Sequence, residues 1–201
     1  MKNKEQYDCN VPWAILFDPT AACNLRCTGC WAAEYGKGIS LDYSTMQKII
    51  RQGKQLGIYM YILSGGELTA RKDEIIRLAE ENDDCMFLSF TNATLIDKAF
   101  SSAIEQVGNF AFAISTEGYE EETDMRRSKG TYQKVMRAMD ILQKHGIIFG
   151  LFSTCHHSKN TEVVGSEEWG DLMIKKGCKF GWYFTFGSLL SGIIASRVGT
   201  Q

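Results

Sequence analysis

The sequence predicts an α/β fold, an open (β/α)6 partial TIM barrel with parallel strands. Six nearly continuous apolar runs resemble strands covered on both faces, at 13–17, 58–63, 85–90, 110–114, 147–152 and 180–186. Segments with apolar residues three and four positions apart, typical of helices, separate these runs. Strand–helix–strand units joined by right-handed crossovers give a parallel sheet. Six units fall short of the eight that close a full barrel, and a flat doubly wound sheet is the second choice.

The helical segments follow the strands in order. Their apolar residues are Met46, Ile49 and Ile50 after the first run; Ile96, Ala99, Phe100, Ala103, Ile104 and Val107 after the third; Tyr132, Val135, Met136, Met139 and Leu142 after the fourth; and Trp169, Leu172 and Met173 after the fifth. Ser40 is predicted to cap the first helix. Four glycines stand where a helix should end before the next strand, namely Gly57, Gly108, Gly146 and Gly177.

Composition indicates one globular domain. The chain has 201 residues, of which 44% are hydrophobic and 23% charged. Its 22 Lys and Arg nearly balance its 24 Asp and Glu, so we expect no nucleic-acid partner and no anionic membrane surface. The apolar stretch 189–195 is too short to span a bilayer. We expect a lead-in at 1–12, a core domain at 13–186 and an irregular tail at 187–201.

The seven cysteines predict a metal centre rather than a disulfide framework. Their number is odd, four are scattered, and no apolar signal segment follows the charged start, so a reduced cytoplasm is expected. Cys23, Cys27 and Cys30 are separated by three and then two residues in a polar segment after the first strand. Their spacing would also fit one helical face, but weak helix formers between them favour a loop with at most one helical turn. Three thiolates in a short loop can ligate either iron or zinc.

Further unusual residues stand at the carboxyl ends of later strands, where parallel barrels place their chemistry. Residues 64–67 (Ser-Gly-Gly-Glu) end the second strand, 91–92 (Thr-Asn) the third, and 115–118 (Ser-Thr-Glu-Gly) the fourth. Cys155, His156 and His157 follow the fifth strand, and their role stays open. This convergence on one edge predicts the functional site.

The CxxxCxxC motif after the first strand, with Gly-Gly-Glu ending the second, resembles the radical S-adenosylmethionine (radical SAM) enzyme superfamily over roughly residues 11–186. The resemblance implies that the three cysteines hold a [4Fe–4S] cluster with one iron open to the methionine moiety of S-adenosylmethionine. Reductive cleavage then gives a 5′-deoxyadenosyl radical, which abstracts hydrogen from a peptide, protein or small metabolite. It also implies a reducing partner such as flavodoxin or ferredoxin.

The same resemblance assigns the cofactor-binding residues. Gly65, Gly66 and Glu67 would receive the methionine ammonium. Ser115 and Arg127, twelve positions apart, are similar to a pattern in SPASM-type peptide- and protein-modifying branches, in which the serine contacts the ribose and the arginine pairs with the methionine carboxylate.

Asn92 could line the cofactor pocket or make an Asx turn. Arg126 and the glutamates at 120–122 are interpreted as parts of a solvated surface, whereas Trp31 could shield the cluster from water. Cys9, Cys85 and Cys178 are assigned to packing.

Two departures from the family pattern keep alternatives open. Leu68 stands where a proline usually follows Gly-Gly-Glu, and no cysteine follows Cys178, so we expect no C-terminal auxiliary-cluster domain. The chain is therefore interpreted as a possible truncated core, and one alternative is a catalytically inactive, cluster-binding remnant. The other is a structural zinc site completed by Cys9 or His156.

Overall fold

The computed structural model describes residues 8–30, 32, 38–155 and 160–185. Its strands are β1 Ala14–Thr20, β2 Met60–Gly65, β3 Met86–Thr91, β4 Phe110–Ser115, β5 Phe149–Cys155 and β6 Gly181–Thr185. All five neighbouring pairs are parallel, and the strands lie in chain order from β1 to β6. A doubly wound sheet reverses its order at a switch point, so this order confirms the partial barrel and excludes the second choice.

Helices connect the strands, one or more in each crossover that the structure describes. They are α1 Tyr43–Gln55, a short 3-10 helix Leu68–Arg71, α2 Lys72–Glu80, α3 Lys98–Val107, α4 Glu120–Arg127, α5 Thr131–Lys144, α6 Thr161–Val164 and α7 Glu167–Lys175. The four glycines predicted to end helices all adopt positive φ, between 65° and 96°. This confirms their role, because that conformation is strained for residues with a side chain.

The predicted cap of α1 is wrong by two residues. The Asp42 carboxylate, not Ser40, accepts the hydrogen bond from the Thr45 amide, at 2.7 Å. The Ser40 hydroxyl instead lies 2.8 Å from the Thr20 hydroxyl, at an isolated antiparallel bridge that joins the same two residues. Ser40 therefore closes the connection between β1 and α1, while Asp42 starts the helix.

Most strands also begin and end later than the apolar runs predict. β1 extends through Pro19 to Thr20, and Trp13, which was predicted to begin it, is 75% exposed. β2 to β5 each continue past the apolar run into polar residues or Gly65. The apolar pattern marks the buried part of a strand, whereas backbone pairing continues to the edge where the site lies.

The main core lies between the helices and one face of the sheet. Alternate strand residues such as Tyr61, Phe87 and Phe112 are at most 1% exposed and pack with the apolar sides of the helices. The opposite, inner face holds a smaller cluster around Leu88, Ala111 and Ala113, with partly exposed aromatic residues beside it. The prediction that both faces are covered holds for β4, which is buried at all six positions, but not for the edge strands β1 and β6, where Leu16 and Phe184 are 57% and 54% exposed.

The scattered cysteines differ in burial. Cys85 is 1% exposed and Cys178 packs partly buried against the core, as their assignment to packing predicts. Cys9 is exposed, so that assignment is wrong for Cys9. In the part of the chain that the structure describes, no helix is both long enough and apolar enough to cross a bilayer.

Tyr61 offers a test of the core. Its buried hydroxyl lies 2.9 Å from the carbonyl oxygens of both Ile50 and Ile58 and shares its one proton between them, and burial raises its pKa to about 12. We expect Tyr61→Phe to lower the free energy of unfolding by about 1–2 kcal/mol, because two buried acceptors lose their donor. Urea denaturation measures the change, with Tyr59→Phe, at a 46% exposed position, as the control. Equal effects of the two variants would contradict this account.

Candidate active site

The site begins where β1 runs over the end of β2. The Gly66 amide donates to the Thr20 carbonyl at 2.7 Å, and the Glu67 amide donates to the Ala22 carbonyl at 2.8 Å. These bonds continue the β1–β2 pairing past the register shift that follows Phe17. They fix the start of the cysteine loop, defined here as residues 21–30, which is irregular with one turn, as the sequence predicts.

Gly65 and Gly66 are required by this close approach of the chain's own backbone. A Cβ atom on Gly66 would lie 2.1 Å from the Ala22 carbonyl oxygen, and one on Gly65 would lie 2.6 Å from that of Thr20. Gly65 also has a φ of +100°. Any side chain at Gly66 would push the cysteine loop away from the sheet.

Glu67 joins the carboxyl end of β2 to that of β3. Its carboxylate, 1% exposed, accepts hydrogen bonds from the Thr91 hydroxyl at 2.6 Å and the Asn92 amide at 2.7 Å. It also accepts from the amide and the hydroxyl of Thr69. Burying this carboxylate is tolerable because four donors replace its hydration.

Asn92 faces the cysteine loop from β3. Its side-chain oxygen accepts from the Thr94 amide at 2.9 Å, which confirms the Asx-turn interpretation. Its Nδ2 donates to Asn24 Oδ1 at 2.9 Å and lies 3.7 Å from Cys23 Sγ. One side chain therefore closes a local turn and contacts the cysteine loop.

Glu117 and Arg127 form a buried ion pair after β4. Arg127 Nε and Nη2 lie 2.8 and 2.6 Å from the same carboxylate oxygen, Glu117 Oε1, and the two side chains are 7% and 1% exposed. Arg127 Nη1 lies 4.0 Å from Cys27 Sγ. Arg127 therefore reaches from the end of α4 to the cysteine loop.

Arg126 corrects a prediction. It was interpreted as a solvated surface residue, yet its side chain is 11% exposed and pairs through Nη1 with the same Glu117 oxygen. Its carbonyl oxygen accepts from the Thr28 amide of the cysteine loop at 2.8 Å. The segment after Ser115 is thus a helix docked on the loop, and only its outer residues face solvent.

Ser115, the last residue of β4, is 8% exposed and lies at the same edge. The register places Thr91 beside Ile114, and Thr20 beside Gly65, so the ends of β1 to β4 lie side by side. The structure therefore brings the cysteine loop, Gly65, Gly66, Glu67, Asn92, Ser115 and Arg127 to one edge of the sheet. His156, His157, Trp31 and the tail 187–201 lie outside the described residues.

The cysteine loop has the donor chemistry that an iron–sulfur cluster requires. Burial raises the pKa of the Cys23 and Cys27 thiols, and the Arg127 guanidinium opposes that rise at Cys27. Among the described residues, no three Cys, His, Asp or Glu side chains lie close enough to form a ready metal site. The residue types nevertheless fit a cluster held by three thiolates, because N–H donors of Leu25, Asn92 and Arg127 already face two of the sulfurs.

Three residues that complete this arrangement had no predicted role of their own: Asn24, Glu117 and Arg126. Glu117 lies in the segment 115–118 that was predicted to reach the functional edge, but nothing in the sequence indicated that it pairs with the arginines. Asn24 and Arg126 carry no local signal, because their roles depend on contacts with other segments.

Comparison with known proteins gives consistent results. The family model of the radical SAM superfamily matches residues 17–165. The Fe-coproporphyrin III synthase of Methanosarcina barkeri is 31% identical over 74% of this chain and 38% of its own length. The serine-type anaerobic sulfatase-maturating enzyme of Klebsiella aerogenes is 26% identical over 95% of this chain and 50% of its own.

The fold is also found among solved structures. Streptococcus suis SuiB, crystallised with S-adenosylmethionine, superposes with a TM-score of 0.82 at 15% identity, over 100% of this chain and 46% of SuiB. The chain thus spans half or less of the length of these relatives.

We expect Gly66→Ala to destabilise the protein by about 1–3 kcal/mol, because the new methyl group overlaps the Ala22 carbonyl and forces the cysteine loop to move. Urea denaturation measures the loss. Gly38→Ala is the matched control, since a Cβ there meets nothing within 4 Å. If the two variants are equally stable, the loop does not lie on Gly66.

We expect Glu67→Gln to cost about 1–3 kcal/mol of unfolding free energy, because the amide brings an NH2 donor against groups that themselves donate. Glu80→Gln, at an exposed position, is the control for the loss of charge. Amide hydrogen exchange of Asn92 should accelerate in Glu67→Gln alone, and unchanged protection would contradict the role given to this carboxylate.

Proposed function

Because the chain belongs to the radical SAM superfamily, we propose that it is the core of an enzyme that cleaves S-adenosylmethionine reductively at a [4Fe–4S] cluster. The observation that carries the proposal is the position of the cysteine loop, which is held by the Gly65–Gly66 edge and contacted by Asn92 and Arg127. When bound, the cluster and S-adenosylmethionine supply a 5′-deoxyadenosyl radical for hydrogen abstraction from substrate.

Cys23, Cys27 and Cys30 would hold the cluster in this proposal. Three thiolate ligands leave one iron without a protein ligand, the open position that catalytic metal sites require. The N–H groups that face Cys23 and Cys27 would hydrogen-bond to the sulfurs and favour their thiolate form.

The remaining edge residues would hold S-adenosylmethionine. We assign its methionine carboxylate to Arg127, because a guanidinium binds a carboxylate bidentately, and its ribose to Ser115. The ammonium is assigned to the edge formed by Gly65, Gly66 and Glu67, where four hydrogen bonds fix the Glu67 carboxylate. Asn92 would complete the pocket between this edge and the cysteine loop.

The proposed substrate is a peptide, a protein or a small metabolite. Two relatives are named for a porphyrin product and for sulfatase maturation, and the S. suis enzyme was also crystallised with a precursor peptide. Partly buried aromatic residues on the inner face of the sheet, Phe90, Phe152 and Trp182, would favour an apolar group of the substrate there. A reductant such as flavodoxin or ferredoxin would supply the electron, and the thiol-bound cluster suits the reducing cytoplasm.

Anaerobic reconstitution with iron, sulfide and a chemical reductant tests the proposal, with 5′-deoxyadenosine measured by chromatography. We expect the protein to form 5′-deoxyadenosine from S-adenosylmethionine and Cys27→Ala to abolish this, because two thiolates cannot retain the cluster. Cys9→Ala, an exposed cysteine outside the loop, should keep the wild-type rate.

Metal analysis separates the remaining outcomes. A colourless protein that contains zinc would replace the proposal with a structural zinc site. A protein that binds iron and sulfide but forms no 5′-deoxyadenosine would identify a catalytically inactive core.

A further inference from the structure

A guanidinium group has two edges, each of which can pair with a carboxylate: one formed by Nε and Nη2, the other by Nη1 and Nη2. Glu117 Oε1 takes the first edge of Arg127, at 2.8 Å from Nε and 2.6 Å from Nη2. Nη1, on the second edge, is the atom that lies 4.0 Å from Cys27 Sγ. The ion pair therefore orients the second edge of Arg127 toward the cysteine loop.

Glu117 also balances charge in this cluster. Its one carboxylate faces two guanidinium groups, those of Arg126 and Arg127. Without Glu117, two positive charges would lie side by side in a largely buried place, which is costly. The carboxylate therefore lets Arg127 stay buried in the orientation that the ion pair gives it.

Glu117 is itself held firmly through its backbone. Its amide donates to the Thr123 hydroxyl at 3.1 Å, and its carbonyl oxygen accepts from Asn160 Nδ2 at 2.9 Å. Both partners are at most 2% exposed. The backbone that carries this carboxylate is therefore fixed. Arg126, which also pairs with Glu117, contacts the cysteine loop through its own carbonyl oxygen.

From this geometry we propose that Glu117 is a positioning residue. It holds the Nε edge of Arg127, so that the Nη1–Nη2 edge stays fixed for the methionine carboxylate of S-adenosylmethionine. This inference rests on the proposed function, because it takes S-adenosylmethionine as the ligand. Glu117 itself does not touch the cofactor.

Binding of two cofactors by the anaerobically reconstituted protein tests this. The probes are S-adenosylmethionine and decarboxylated S-adenosylmethionine, which keeps the sulfonium and amine but lacks the carboxylate. Equilibrium dialysis gives both dissociation constants. We expect Glu117→Gln to weaken binding of S-adenosylmethionine by roughly 10- to 100-fold, by analogy with the loss of a group that orients a metal-binding side chain. Binding of the decarboxylated compound should stay within about twofold of wild type, because the role of Glu117 concerns the carboxylate alone.

Glu121→Gln is the matched control, since it removes the same charge from an exposed position of the same helix, α4. It should leave both constants unchanged. In an Arg127→Lys background, Glu117→Gln should cause almost no additional loss of affinity for S-adenosylmethionine. A residue that acts by orienting the guanidinium group of Arg127 has no effect when that group is absent. If Glu117→Gln does not fold, Glu117→Asp is used instead, because it keeps the charge but has a shorter side chain. The same two dissociation constants are then compared with those of the wild type.

Each result has one meaning. Equal weakening of both probes by Glu117→Gln, no weakening of either, or full additivity with Arg127→Lys overturns the positioning role, while the proposed function stands. Failure of the wild-type protein to bind S-adenosylmethionine overturns the proposed function and this inference with it.

Discussion

Two backbone hydrogen bonds, from the amides of Gly66 and Glu67 to the carbonyls of Thr20 and Ala22, set the geometry on which the rest of the site depends. They fix the cysteine loop to the sheet at a separation that only glycine allows. The same contact determines the direction in which the chain leaves β2, and so brings the Glu67 side chain to the end of β3. One close approach of two backbone segments thus orients both the thiol loop and the first buried carboxylate.

The two buried carboxylates of the edge solve the same physical problem in different ways. A carboxylate without water needs either several donors or an opposite charge. Among the described residues, Glu67 accepts only from neutral amides and hydroxyls, and its contacts tie β2 to β3. Glu117 instead pairs with two guanidinium groups and ties β4 to the cysteine loop. Glu67 belongs to the edge proposed to receive the cofactor, whereas Glu117 supports Arg127 and is not itself assigned to the cofactor.

The fold and the edge could be predicted because their signals are local. Apolar runs, helix-ending glycines and polar residues at strand ends each occupy a few adjacent positions. The pairing of Arg126 could not be predicted from α4 itself. This helix is highly charged and has no apolar stripe, so its sequence does not show which of its charged residues face the protein and which face solvent. Asp42 and Ser40 are both suitable N-cap residues for α1 and lie two positions apart. Which of them caps the helix depends on the path of the loop after β1, which the local sequence does not show. The structural reason for Gly65 and Gly66 could not be predicted either, because the backbone that approaches them lies more than forty residues earlier in the chain.

The groups proposed to bind the cofactor and the aromatic residues of the inner face come largely from different strands. The residues assigned to the cluster and to S-adenosylmethionine come from β1 to β4 and the segments that follow them, whereas most of the aromatic inner face comes from β5 and its neighbour β6, with Phe90 of β3 between the two. A change to an inner-face side chain of β5 or β6 can therefore alter that face without touching the glycine edge, whereas the backbone of β5 also contacts the Glu117 segment, since the Thr116 amide donates to the Phe152 carbonyl oxygen. This separation gives a physical reason why one fold can serve two relatives with such different names, a porphyrin synthase and a sulfatase-maturating enzyme, at identities of 26–31%. The cofactor edge is held by contacts that tolerate few residue types, and the inner face by apolar packing that tolerates many.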